Sequence, residues 1–233
     1  MGINKKLSII IPVLNEESTI EEIIKQVKNA PVFDYEKEII IVDDGSSDNT
    51  KNILKNIKEK YNLIILRHNK NIGKGKAIRT GLKAVTGSAV IIQDADLEYN
   101  PQDWTLLLKE LNGSEIGAVY GSRNINSKKR GYFHYVLGVK FLTFLNNFLF
   151  RTKLTDIYTC YKLFPAHLIK SIKLDSNGFE IEAEITAKIL KKGLLIKEVP
   201  ISYNPRKFKQ GKKIRFKDGL IGIWTIIKYR FKE

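Results

Sequence analysis

Ala89-Val90-Ile91-Ile92-Gln93-Asp94-Ala95-Asp96-Leu97-Glu98 is the stretch whose reading decides the fold. Its apolar, β-branched start reads as a buried strand, and the run stops abruptly on Asp-x-Asp-x-Glu. Three carboxylates are thereby delivered into one loop at the end of a strand. Hard divalent cations prefer oxygen ligands, and Mg²⁺ usually takes one or two carboxylates together with substrate phosphates. In open α/β sheets such loops lie at the carboxyl edge, where ligands bind. The stretch points to a metal-assisted reaction on a phosphorylated substrate, against the plainer alternative of a solvated acidic turn.

Working outward, strand and helix patterns alternate through the first half. Residues 7–13, 38–42, 63–66, 88–92 and 116–120 read as strands. Helices are expected over 16–29, through Ile53, Leu54 and Ile57, and over 73–85 and 101–111. Repeated βαβ units with short connections predict a mostly parallel sheet covered by helices on both faces. A phosphatase of the haloacid dehalogenase type also begins with a strand and Asp-x-Asp. That type has Thr or Val two residues after the second Asp and carries the motif near its start; here Glu98 takes that place, deep in the chain.

The second half differs. Residues 132–150 are strongly apolar and aromatic, with Phe133, Phe141, Phe144, Phe148 and Phe150, flanked by Lys128, Lys129, Arg130 and Arg151. This is either a core helix or a helix lying in a membrane interface. A helix over 180–190, a strand over 194–199 and a final helix over 220–231 follow. Between the last two, residues 206–217 hold seven Lys/Arg in twelve residues and no acid.

The chain has 233 residues, 43% of them hydrophobic, and a formal net charge of +15. That describes a folded protein attracted to polyanions: phosphorylated substrates, an anionic membrane surface or nucleic acid. No helix-turn-helix, zinc-finger or RNA-recognition signature supports the last, so no nucleic-acid partner is expected. Cys160 is the only cysteine, which excludes an internal disulfide and any multi-cysteine metal site. With no signal-peptide pattern and no stretch of about 20 apolar residues, the expectation is a cytoplasmic protein, peripheral on the cytoplasmic face of the membrane.

Other strand ends carry polar residues. Asn15-Glu16-Glu17 follows the first strand, where Glu16 is equally a helix cap. Asp43-Asp44-Gly45-Ser46-Ser47-Asp48 follows the second, where one aspartate could bind a base or ribose. Asn71-Ile72-Gly73-Lys74-Gly75-Lys76 lacks the spacing of a Walker loop, yet could bring backbone N–H groups and Arg79 toward a diphosphate.

Taken in order, Ile11-Pro12-Val13-Leu14-Asn15-Glu16-Glu17, Val42-Asp43-Asp44-Gly45-Ser46-Ser47-Asp48, Gly73-Lys74-Gly75-Lys76-Ala77-Ile78-Arg79-Thr80-Gly81 and Gln93-Asp94-Ala95-Asp96-Leu97-Glu98-Tyr99 resemble family-two glycosyltransferases with the GT-A fold. The branch is that of dolichol-phosphate mannose and polyprenyl-phosphate glucose synthases. Gly121-Ser122-Arg123, Asp156-Ile157-Tyr158-Thr159-Cys160-Tyr161-Lys162, Phe179-Glu180-Ile181-Glu182-Ala183-Glu184 and Tyr203…Arg206…Gly211-Lys212-Lys213-Ile214 extend the likeness along essentially the whole chain.

The resemblance implies one GT-A α/β domain over 1–233, a mostly parallel Rossmann-like sheet flanked by helices. Residues 1–122 would bind the nucleotide sugar; 123–233 would bind the acceptor. It implies an inverting, metal-dependent transfer of a hexose from a nucleoside diphosphate sugar (GDP-mannose or UDP-glucose) to a dolichyl, undecaprenyl or other polyprenyl phosphate. Asp94, Asp96 and Glu98 match the metal site for Mg²⁺ or Mn²⁺, with Asp94 also toward the nucleotide sugar. Pro12, Glu16 and Asp44 match positions around base and ribose. Arg123 matches an arginine receiving the acceptor phosphate. Arg206, with Lys212 and Lys213 nearby, matches a basic loop over the diphosphate. Longer members carry a C-terminal pair of transmembrane helices that this sequence does not show, so a lipid acceptor would be met peripherally, through 132–150, the basic patches and Trp224. A glycan or polysaccharide hydroxyl is the alternative acceptor. It would need a general base, for which Asp156, Glu180 and Glu182 are candidates, each also plausible as a partner for cations. Asp156 is the candidate for a catalytic role beside Asp96, Arg123 and Arg206.

Overall fold

Continuous aliphatic runs, with no polar alternation, suit strands buried on both faces, and they build the centre of the molecule. The structure, a computed structural model, describes residues 5–125, 133–206 and 216–232. Strands β1 (Lys6–Val13), β2 (Glu36–Asp43), β3 (Leu63–Arg67), β4 (Ala89–Ile92), β5 (Ile116–Ser122), β6 (Lys162–Pro165) and β7 (Leu195–Pro200) form one sheet in the order β3-β2-β1-β4-β6-β5-β7. Leu7, Ile9, Ile10, Ile11, Ile40, Ile41, Val90 and Ile91 are fully buried at its middle. β1 pairs in parallel with β2 and β4, β2 with β3, and β5 with β7. The expected α/β architecture and mostly parallel sheet are what the structure has.

Helices α1 (Ile20–Asn29), α2 (Thr50–Tyr61), α3 (Lys74–Ala84) and α4 (Trp104–Glu110) connect the first five strands. In α1, Ile20, Ile23, Ile24 and Val27 recur at helical spacing and are all fully buried. Helix α1 starts later than residue 16. Glu16 instead opens a turn whose carbonyl accepts the N–H groups of Thr19 and Ile20. A 3-10 turn at Pro101–Asp103 precedes α4, because Asn100 caps Gln102 N–H and Pro101 has no N–H to contribute.

The sequence patterns did not reveal β6 or the short helix α6 (Ala166–Ser171) after it. β6 has four residues, one a lysine and one a proline, and it runs antiparallel between β4 and β5. Ile91 lies opposite Leu163 and Tyr120 opposite Lys162, so β6 starts where β4 and β5 end. The segment preceding β6 is therefore delivered to the same sheet edge as the acidic loop.

Helices α5 (Phe133–Phe150), α7 (Ile181–Lys191) and α8 (Phe216–Phe231) complete the chain. Leu142, Leu154, Ile157, Ala183 and Ile226 form a second buried cluster beneath them. The other side of α5 is uncovered: Leu137, Phe141, Phe144 and Phe148 are 52–72% exposed, and Trp224 on α8 is 64% exposed. One face of α5 packs inward and the other is exposed. Among the described residues no helix is long and apolar enough to cross a membrane.

Candidate active site

The parallel register sets the site. Val13 pairs with Asp43 and Asp43 with Arg67, so the first three strands end level. Gln93 N–H reaches Ile10 O at the end of β4. Two non-glycine residues at this edge, Asn15 (φ 51°) and Leu97 (φ 61°), adopt left-handed backbone. That conformation is unfavourable for a branched side chain and concentrates at functional loops. At Leu97 it turns the chain so that Asp96 and Glu98 face different partners.

Arg206 closes over the acidic turn. Its guanidinium donates to both carboxylate oxygens of Glu16 at 3.1 Å and lies 2.9 Å from Asp96 Oδ2. Its backbone N–H donates to Glu98 Oε1 at 2.9 Å, and Tyr203 Oη donates to Glu98 Oε2 at 3.0 Å. A Tyr99–Tyr203 bridge and the Asn204 N–H to Glu98 O bond fix this segment on the loop. Glu98 is thus spent on residues 203–206, while Asp94 and Asp96 face cations.

Lys74, the first residue of α3, lies 2.8 Å from Asp94 Oδ1 and 3.2 Å from Glu182 Oε1. Its position depends on Gly73, whose φ of 121° suits glycine and where a Cβ would stand 2.4 Å from Asn177 O. Burial pushes the Asp94 carboxyl up, but the Lys74 ammonium outweighs it and leaves Asp94 below its ordinary range. Asp96 goes the other way, pushed up to about 6 by burial and by the neighbouring charges of Asp94 and Glu98, with Arg206 opposing.

Among the described residues no group of three or more His, Cys, Asp and Glu is arranged around a common point for a metal. Two crowded carboxylates, one with a raised pKa, nonetheless match a hard cation held by one or two carboxylates and completed by substrate phosphates.

Arg123 follows directly after β5. Arg123 Nε and Nη2 donate to Asp156 Oδ2 and Oδ1 at 2.7 and 2.8 Å, and the guanidinium lies 5.4 Å from the Tyr203 ring centroid. Asp156 is fully buried, and Glu198 accepts the backbone N–H groups of Thr155 and Asp156. Glu180 accepts the N–H groups of Asn177 and Gly178. Glu182 pairs with the fully buried Lys162, whose ammonium also donates to Ile157 O and Thr159 O. Each of the three candidate bases already holds a partner.

Other expected residues are placed as follows. Pro12 is half-buried on β1. Asp44 accepts from Ile72 N–H and Gly73 N–H, and contacts His68 Nδ1 at 2.6 Å. Its carboxylate shapes the loop before α3. Arg79, expected toward a diphosphate, donates to Asp175 O and Asn177 Oδ1. Asn177 O also takes the Lys76 N–H, so Lys74, not Arg79 or open backbone amides, meets the acidic site. Lys212 and Lys213 lie outside the described residues. The sequence reading overlooked Lys74 because it judged the Gly-Lys-Gly-Lys segment by Walker spacing.

Residues 8–172 match the family described as Glycosyl transferase family 2. An uncharacterised protein of Methanocaldococcus jannaschii is 30% identical over 205 residues, covering 83% of this chain and 86% of its own. The dolichol-phosphate mannosyltransferase of Pyrococcus furiosus is 29% identical over 206 residues, 86% of this chain and 57% of that longer protein. Glucosyl-3-phosphoglycerate synthase from Mycobacterium tuberculosis, solved with uridine diphosphate, has the same fold at 20% identity. Its TM-score is 0.75 over 97% of this chain and 80% of that one.

Proposed function

The chain belongs to glycosyl transferase family 2, and from that premise we propose that it transfers a hexose from a nucleoside diphosphate sugar to a polyprenyl phosphate, inverting the anomeric centre. One observation carries the choice of acceptor. Asp156 and Glu182 are each paired with a cation, and Glu180 accepts two backbone amides, which favours an acceptor that needs no general base. A phosphate monoester needs none, since its second pKa of about 6 leaves it largely a dianion at neutral pH.

In this reading the donor lies along the edge from Glu16 to Asp96. Asp94 and Asp96 hold Mg²⁺ or Mn²⁺, which when bound supplies Lewis-acid stabilisation to the leaving diphosphate. Arg206 leaves its carboxylates for the diphosphate oxygens and stabilises charge developing there. Arg123, held in one orientation by Asp156 and stacked near Tyr203, positions the acceptor phosphate. The acceptor's lipid is met at the uncovered face of α5 and α8. Thr143 on the inner face of α5 accepts the Ile157 N–H at 3.5 Å, one residue from Asp156, which ties that helix to the acceptor site. The P. furiosus relative, by its name a dolichol-phosphate mannosyltransferase, supports the same acceptor class.

The test is label transfer from UDP-glucose and from GDP-mannose, separately, to a polyprenyl phosphate in detergent with Mn²⁺ or Mg²⁺. Label should enter the lipid with one donor, disappear with EDTA, and fall by about 10³-fold in Asp96→Asn. Donor binding without any lipid product would move the reading to a hydroxyl acceptor.

A further inference from the structure

Behind the acidic loop, charges of alternating sign form a chain: Lys162, Glu182, Lys74, Asp94. Lys162 is fully buried and fixed by two carbonyls as well as by Glu182. Glu182 is also buried, and only one of its oxygens is hydrogen-bonded. Oε2 takes Lys162, whereas Oε1 makes no hydrogen bond although Lys74 Nζ is 3.2 Å away. The Lys74 ammonium lies between the two carboxylates: it donates to Asp94 at 3.1 Å from Oδ2, while its approach to Glu182 Oε1 is an ion pair without a formed hydrogen bond. A buried carboxylate oxygen without a hydrogen bond is costly. Here it already faces an ammonium 3.2 Å away, which needs only a small reorientation to donate to it.

We propose that Lys74 shares its ammonium between Asp94 and Glu182 while no cation is bound, and passes wholly to Glu182 when a divalent cation takes Asp94. The inference rests on Asp94 and Asp96 being the metal's carboxylates. Lys74 then keeps the acidic pair from repelling itself apart in the free enzyme, and it competes directly with the metal. Lys162 holds Glu182 as a fixed second station, so the displaced ammonium is never left unpaired. Lys74 is well suited to this role because its exposed fraction is small (14% of the side chain) and its Gly73 and Gly75 neighbours are packed against residues 176–178. The backbone stays in place and only the ammonium changes partner.

The experiment is calorimetric titration of Mn²⁺ alone into the full chain, without donor. Wild type is compared with Lys74→Met, Lys74→Gln, Lys74→Arg and Asp94→Asn, each checked for folding by circular dichroism. Removing the competing charge should tighten Mn²⁺ binding roughly tenfold in Lys74→Met and in Lys74→Gln; Lys74→Arg should restore weaker binding, and Asp94→Asn should abolish it. Glu182→Gln should weaken Mn²⁺ binding in wild type but not in the Lys74→Met background, since Glu182 acts through the lysine. Unchanged or weaker binding in both Lys74→Met and Lys74→Gln, with Asp94→Asn still inactive in binding, would overturn the role of Lys74 and leave the metal reading standing. Mn²⁺ binding indifferent to Asp94 would overturn both together.

Discussion

The carboxyl edge of the sheet and the outer face of α5 treat their side chains in opposite ways. At the edge, Glu16, Asp94, Asp96, Asp156 and Glu182 each meet a cation within 3.3 Å. On α5, Phe144 and Phe148 stack on each other with ring centroids 6.5 Å apart, yet both remain mostly exposed. Charges taken from water need compensation inside the molecule, and the edge supplies a cation to each of these carboxylates without ligand. Apolar groups facing outward lose little in the fold, and what they gain comes from outside it. The difference separates the part of the molecule whose polar groups are paired within the fold from the part whose apolar groups are left open.

Removing Asp156 is the largest expected insult to the edge. Asp156→Ala would leave Arg123, 19% exposed, without its bidentate partner. Loss of one member of such a pair costs about 3 kcal/mol, or a fall in Tm of roughly 10 °C for a chain of this size. A Tm within a degree or two of wild type would show that the pair orients Arg123 without stabilising the fold.

Asp96 offers an effect of similar size that depends on pH. Its carboxyl, pushed up to about 6, binds a proton more tightly folded than unfolded. The folded chain therefore holds the extra proton between about pH 4 and pH 6, and its stability falls as pH rises through that window. Asp96→Asn should match wild type near pH 4 and exceed it by about 3 kcal/mol above pH 6, measured as Tm in EDTA. A constant difference across that range would mean that Asp96 is not strained by its neighbours.

The outer face should barely register in the same assay. Phe144→Ser with Phe148→Ser should change stability by no more than about 1 kcal/mol, because both rings are more than half exposed. The pair should nevertheless weaken sedimentation with anionic phosphatidylglycerol vesicles several-fold. Loss of stability without loss of vesicle binding would invert the comparison and make α5 a core helix.

Sequence made the edge far more legible than the face. A strand stopping on Asp94-Ala95-Asp96 needs only local chemistry to be read, and the βαβ rhythm fixes where it lies. The stripe Leu137, Phe141, Phe144, Phe148 could be assigned to either side, since Leu142, Leu145 and Leu149 make the opposite side of α5 apolar too. Which side faces inward depends on α7 and α8. Nor could the pattern reveal that Lys162 is buried: a lysine opening a four-residue strand looks like a surface residue until Glu182 arrives from α7.

Strand β6 has a further consequence, one of mechanical tolerance. β5 and β7 have no direct ladder to β4; they hang from it through three opposed pairs, Ala89 with Pro165, Val90 with Phe164 and Ile91 with Leu163. A slip of one residue in that short seam would turn every β6 side chain to the opposite face. Lys162 would leave Glu182, and the Arg123–Asp156 pair would shift along the edge relative to Asp94 and Asp96. The alignment of the two halves of the site is set by two short seams, three pairs between β4 and β6 and two between β5 and β6, and substitutions at Leu163 or Phe164 should act as misalignments of the whole centre.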